Sequence, residues 1–193
     1  MRHTAVMSSP FLYFADDRLS GSELASARLD GLVVELGEAY IPADAVETAA
    51  LRAGSLARLV GDLLAASHLS AAWIHGALDE PPARHSVQRA VAHRIHVSFG
   101  RRFVYRDPAI PAEDLAVVGG VRVTTPVRTL VDLARTPDAA HADGAARMAR
   151  LAPGLVGEAL DRLGSAGPFP RKRDAMALLR RLAGAGAQDD VTR

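Results

Sequence analysis

Apolar residues along this chain change their spacing twice, and that change restricts the fold class more than any other feature. Val46, Ala49, Ala50, Ala53, Leu56, Ala57, Val60 and Leu64 recur at helical intervals, which predicts one long helix. From 83 to 123 the pattern becomes β-rich, in fragments 86–91, 95–99, 103–105 and 121–123, separated by Gly100, Pro108, Pro111 and Gly119-Gly120. After Thr125-Pro126, a cap followed by proline at the first helical position, Val127, Leu130, Val131 and Ala134 restore the helical spacing. Helices flanking a run of strands, without strict alternation, define an α+β chain with a small sheet.

The remaining elements follow from caps and breakers. Ser9-Pro10 predicts a short helix carrying Phe11, Leu12 and Phe14. Ser20-Gly21-Ser22-Glu23 has capping-box spacing and opens a helix over 21–30 that Gly31 ends. Apolar segments 32–36 and 39–41 around Gly37-Glu38 read as a hairpin, closed by Pro42. Asp44-Ala45-Val46-Glu47 is a second capping box, placed to start the long helix. Ser67 caps a further helix holding Ala71, Ala72, Trp73 and Ile74, with Trp73 in the core and Gly76 as its stop; 79–82 is a loop. Three short helices follow near 143–152, 154–163 and 170–183, punctuated by Pro153, Gly164 and Gly167-Pro168, with a frayed tail from Gly184.

Composition excludes several function classes. The 193 residues contain no cysteine, which removes disulfides, thiolate metal sites and a cysteine nucleophile and suits a reducing, cytoplasmic setting. No apolar run approaches the roughly 18 residues of a membrane span, and the opening residues lack a signal peptide's apolar stretch and cleavage site. The formal charge of +1 conceals an asymmetry: residues 1–80 hold 5 Arg against 11 acids, whereas 81–193 hold 18 basic residues against 11 acids. The two halves therefore suit different partners, or each other.

The most basic stretch, 84–106, contains Arg84, Arg89, Arg94, Arg101, Arg102 and Arg106, three histidines and no acid, interleaved with Phe99, Phe103 and Tyr105. Guanidinium groups pair with phosphates and aromatic faces stack on bases, so nucleic acid is one reading and an acidic protein its rival; solvated arginines on one face of packed strands are the plain structural alternative. The histidines do not predict a metal: His93 and His96, three apart in a strand, point to opposite faces, and His68 and His75 lie two helical turns apart, about 10 Å. Neither spacing suits one ion. No P-loop, GxSxG or HExxH motif occurs, and Gly21-Ser22 before Asp30 and Glu35 lacks the paired carboxylates of a nucleotidyltransferase. The chain is expected to be no enzyme, with no cofactor. On the helix after Thr125-Pro126, Arg128, Asp132 and Arg135 share one face, expected to be the outer one.

Four segments in order carry a family resemblance: the helix at 21–30, GLVVELGEAYIP (31–42), SHLSAAWIHGAL (67–78) and GGVRVTTPVRTLVDLAR (119–135). Together they resemble the AbiEi antitoxins of type IV abortive-infection toxin–antitoxin systems, over about residues 15–183. The resemblance implies an N-terminal winged helix-turn-helix that binds the promoter of its own operon, joined to a C-terminal antitoxin domain that opposes a nucleotidyltransferase-like toxin. Here the reader is degenerate: about two helices fit before Leu32, and residues 1–50 hold 3 Arg against 8 acids, an unfavourable balance for phosphate contact.

The expected architecture is a degenerate winged helix-turn-helix at 1–45, a helical connector at 46–80 and a mixed α/β antitoxin-like domain at 81–193. DNA contacts are expected from Ser22, Ser26 and Arg28 and from the six arginines of 84–106, and partner contacts from Arg128, Asp132 and Arg135. A protein-interaction module that has lost DNA binding is the alternative, and a nucleotidyltransferase-like enzyme a distant one.

Overall fold

The computed structural model describes residues 9–95 and 100–191, with side chains described through 185. Its elements are α1 (Gly21–Leu29), β1 (Val33–Leu36), β2 (Ala39–Pro42), α2 (Ala49–Ser55), α3 (Ala57–Val60), β3 (Leu64–Ala66), α4 (His68–Ile74), β4 (His85–Arg89) and β5 (Phe103–Arg106), followed by β6 (Leu115–Val118), β7 (Val121–Thr124), α5 (Pro126–Ala134), α6 (Ala139–Leu151), α7 (Leu155–Ser165) and α8 (Lys172–Val191). The fold is α+β, with helices beside a two-stranded hairpin and a five-stranded mixed sheet.

Strand order in the larger sheet is β5-β4-β3-β7-β6, with β3 antiparallel to β4 and parallel to β7. The middle strand is thus β3, three residues long and buried throughout. Expected as the end of a helix, Leu64 instead pairs with Arg89, and Ala66 lies opposite both Val87 and Val123. The expected helix over 46–64 divides for local reasons. Thr48, not Asp44, accepts the capping hydrogen bond, from the Leu51 amide at 3.2 Å, and Val46 stays 79% exposed. Leu56 leaves helical geometry between α2 and α3, and Gly61, at φ +56° and ψ −156°, ends α3.

The first predicted helix is absent: 9–12 form a turn, and Tyr13 continues as extended chain bridged to Tyr40. Of the strand expected at 95–99, residues 96–99 lie outside the described residues, and Ile95 is in no strand. The strand β6 was not expected. Helix α8 runs through Gly184 to Val191, past the expected onset of fraying.

Two apolar cores cover the sheet and helices. One joins Leu12, Phe14, Leu36 and Ile41 from the N-terminal segment to Leu51, Leu56, Trp73, Val87 and Val123. The other joins Ala72 of α4 to Leu130, Leu133, Met148, Leu163 and Leu179 from α5 to α8. Residues 46–80 thus supply the middle strand and the helix, α4, that touches both cores. Arg52 braces that helix, donating to the carbonyls of Trp73 at 2.7 Å and Leu78 at 2.8 Å while its guanidinium lies over the Trp73 ring.

Candidate functional site

The expected capping box forms on α1: the Glu23 amide donates to Ser20 Oγ at 3.3 Å, and the Ser20 amide donates to Glu23 Oε2 at 2.7 Å. Those hydrogen bonds from Ser20 lower the Glu23 carboxyl below its ordinary pKa. Leu24 is the helix's buried residue, which leaves Ser22, Ser26 and Arg28 exposed. Arg28 faces Glu35 of β1 at 3.4 Å, both side chains 55% exposed. Such a solvated pair is weak.

The six arginines of 84–106 separate instead of forming one ribbon. Arg89, 8% exposed, donates to the carbonyls of Asp107, Val91 and His93 at 2.8–2.9 Å and also to that of Ala92, holding the chain beyond β4 in place. Arg84 donates to the carbonyls of Arg101 and Phe103. Arg102 pairs with Glu38 in the β1–β2 turn, tying the hairpin to the sheet edge. Arg94, 77% exposed and 3.6 Å from Asp107, and Arg101 remain at the surface. Arg106 lines a cleft apart from these contacts.

The face of α5 expected to be outermost is largely interior. Asp132 is 3% exposed and Arg128 is mostly covered, its Nε donating to Asp132 Oδ2 at 2.8 Å and Nη1 to Asp114 Oδ2 at 2.7 Å. Asp114, also buried, takes Arg162 on its other oxygen at 2.5 Å, while Arg135 approaches Asp132 Oδ1 at 3.8 Å. The reason lies outside the helix: the 3-10 turn Ala112–Asp114 before β6 and helix α7 place countercharges over a face that α5 alone presents as polar. Burial pushes the Asp132 carboxyl up, and the Arg128 charge pulls it back.

The histidines serve packing and polarity. His85 Nδ1 meets Ser70 Oγ at 3.2 Å, and burial together with the Arg102 charge lowers its pKa to about 4. His75 Nε2 meets the Thr124 carbonyl at 2.8 Å. His68 sits 5.8 Å from His141 in an edge-to-face arrangement. Burial, and then the charges of Arg106, His141, Arg128 and Arg135, hold its pKa well below the ordinary value, so it is neutral. Among the described residues no three His, Asp or Glu gather as metal ligands; His96 lies outside them.

A cleft of about 460 Å³ opens where β4, β5, α4, α5 and the start of α8 converge. Arg106, Arg128, Arg135 and Arg171 line it with His68, Gln88, Tyr105 and Thr136, and Asp132 is its one acid. Sequence reading named Arg106, Arg128, Asp132 and Arg135 but assigned them to two surfaces. It weighed His68 only as a metal ligand and missed Arg171, whose available signal was the basic run Arg171-Lys172-Arg173 at the start of α8.

Residues 64–180 match the family described as AbiEi antitoxin C-terminal domain. The chain belongs to the AbiEi antitoxin family. The matched segment begins on β3 and ends on α8, so the AbiEi domain spans the whole five-stranded sheet and the cleft. No curated protein matches the chain. Among solved structures, the RV2827C protein from Mycobacterium tuberculosis is 23% identical, with 84% of this chain and 70% of that one covered and a TM-score of 0.36. No helix among the described residues is long and apolar enough to cross a membrane.

Proposed function

We propose that this AbiEi family member is a non-enzymatic, cytoplasmic antitoxin that also represses its own operon, with α1, the one helix before β1 among the described residues, and the β1–β2 hairpin as the remnant of a winged helix-turn-helix. The observation that carries the antitoxin reading is the AbiEi match over 64–180. Supporting the DNA reading, α1 keeps one buried residue and presents Ser22, Ser26 and Arg28 to solvent beside a hairpin in the position of a wing. Arg94 and Arg101 supply exposed charge for phosphate contact, whereas Arg84, Arg89 and Arg102 are committed to the protein's own chain. The partner of the C-terminal part is a nucleotidyltransferase-like toxin.

The deciding experiment is footprinting on the DNA upstream of the operon, with and without the full-length protein. Arg28→Ala should lower occupancy without altering the melting curve, and Arg94→Ala with Arg101→Ala should flatten the salt dependence of binding by about one unit of slope per lost phosphate contact. Equal footprints for wild type and Arg28→Ala remove α1 as the reader. Co-expression with the adjacent toxin gene tests protection separately. Exposure of Leu29 at 87% at the end of α1, and of Leu32 at 65% and Val34 at 44% just after it, favours a second reading, in which this face contacts protein. A wild-type protein that protects cells but leaves no footprint selects it.

A further inference from the structure

The hydrogen-bonding capacity left over in the cleft is almost entirely cationic. Arg106 Nε is buried and unpartnered, and none of its guanidinium donors has a partner among the described residues. Arg135 Nε is likewise buried and unpartnered; its guanidinium lies 4.4 Å above the Phe169 ring and only 3.8 Å from Asp132 at its nearest. Arg171 is exposed, and its side chain bonds to nothing among the described residues. Asp132, the one acid, already faces Arg128 and Arg135.

Most neutral groups are engaged elsewhere, His68 through Nδ1 to Ser67 Oγ at 3.1 Å. Gln88 Nε2 donates to the Pro108 carbonyl at 2.9 Å, the Tyr105 hydroxyl to Asp107 at 3.1 Å, and Thr136 Oγ1 to the Asp132 carbonyl at 2.9 Å. Leaving buried guanidinium donors unpaired is costly, and a ligand that accepts hydrogen bonds and carries negative charge removes that cost. Backbone strain gathers at the same place: His68 at φ +49° and Arg171 at φ +62° are two of the three non-glycine residues with positive φ among those described.

We propose that this cleft binds a small phosphate-bearing ligand of mononucleotide size. Three guanidinium groups with free donors, on β5, after α5 and before α8, match a phosphoryl group, whose several oxygens accept from separate directions. A single carboxylate would leave most of them unmet. The volume, about 460 Å³, falls within the usual range for small-ligand sites and exceeds the needs of an inorganic ion. Tyr105, Pro108 and Pro170 complete the lining beside the arginines, which leaves room for a group larger than the phosphate itself. This inference is independent of promoter binding, because none of the α1 residues takes part.

The experiment is calorimetric titration of the full-length protein with AMP, pyrophosphate and adenosine at constant ionic strength, alongside thermal melts. AMP should bind saturably and raise the melting temperature, and adenosine should do neither. Arg106→Gln and Arg171→Ala should each weaken AMP at least tenfold; Arg171 is exposed and away from both cores, so that variant keeps its fold whatever happens to the first. Arg122→Gln, an arginine outside the cleft, should bind as wild type. The proposal is overturned if AMP does not bind, if Arg171→Ala binds unchanged, or if Arg122→Gln weakens binding as much as the cleft variants. A 5′-phosphorylated oligonucleotide that binds through Arg106 and Arg171 while AMP does not would also overturn it, assigning the cleft to a nucleic-acid end.

Discussion

Asp114 closes the charge network of the C-terminal helices, since Arg128 and Arg162 meet its two oxygens and the residue is 2% exposed. Removing one member of a buried ion network leaves its partners charged and desolvated, typically a loss of about 3–5 kcal/mol. Asp114→Ala should therefore lower the urea midpoint sharply. Arg128→Glu should be at least as damaging, because it sets a third carboxylate against Asp114 and Asp132 where the surface reading of this face expects almost no effect. Histidine burial adds a pH dependence. Unfolded, His85 takes up a proton near 6.5; folded, it does so only near 4. Between those values the unfolded chain binds more protons, so stability falls as pH drops from 6.5 toward 4 and the His85 contribution levels off below that. Melting temperatures measured from pH 7 to 4 should show this fall, and His85→Gln should flatten it in part, with His68 and His75 still contributing in the same direction.

Helix α1 depends on its cap more than on its packing, because Leu24 is its buried residue. Ser20→Ala removes one side of the capping box and should cost about 1 kcal/mol. If α1 reads DNA, the same change should weaken footprints while the cores stay folded, a split that circular dichroism and footprinting measure together. The β6–β7 turn has the opposite character. Gly119 sits at φ +54°, and a Cβ there would lie 2.2 Å from the Ala50 carbonyl oxygen of α2. Since the obstacle is backbone, Gly119→Ala must push α2 away from the sheet, and a loss of about 1–3 kcal/mol in denaturant unfolding is expected.

At the scale of the whole molecule, the sheet is assembled from segments far apart in sequence. β3 lies between β4 and β7, and the first core reaches from Leu12 to Val123. A fragment of 81–193 lacks both β3 and α4, so β4 and β7 lose their common neighbour and Leu130 and Leu133 lose the helix that covers them. That fragment should show no cooperative unfolding transition, whereas the full chain should melt in one. Toxin protection is for this reason best mapped by point substitution in the intact protein.

Some local chemistry was readable without coordinates, although the equally local Asp44–Glu47 box and Ser9-Pro10 helix did not form. The Ser20–Glu23 box, the Gly37-Glu38 hairpin and the Thr125-Pro126 cap, whose Thr125 Oγ1 accepts from the Arg128 amide at 3.3 Å, each depend on residues within a few positions. The α+β class and the family resemblance rest on the same kind of information. Three matters were decided only by the tertiary structure. A short apolar run such as Leu64-Ala65-Ala66 suits a buried helix end or a buried strand equally, and pairing with Arg89 and Val123 settled it. The polar face of α5 became interior because Asp114 and Arg162 arrive from other elements. The basic stretch was divided because each guanidinium's exposure depends on which carbonyls and carboxylates the fold brings within hydrogen-bond reach, a property of three-dimensional neighbours that residue order does not contain.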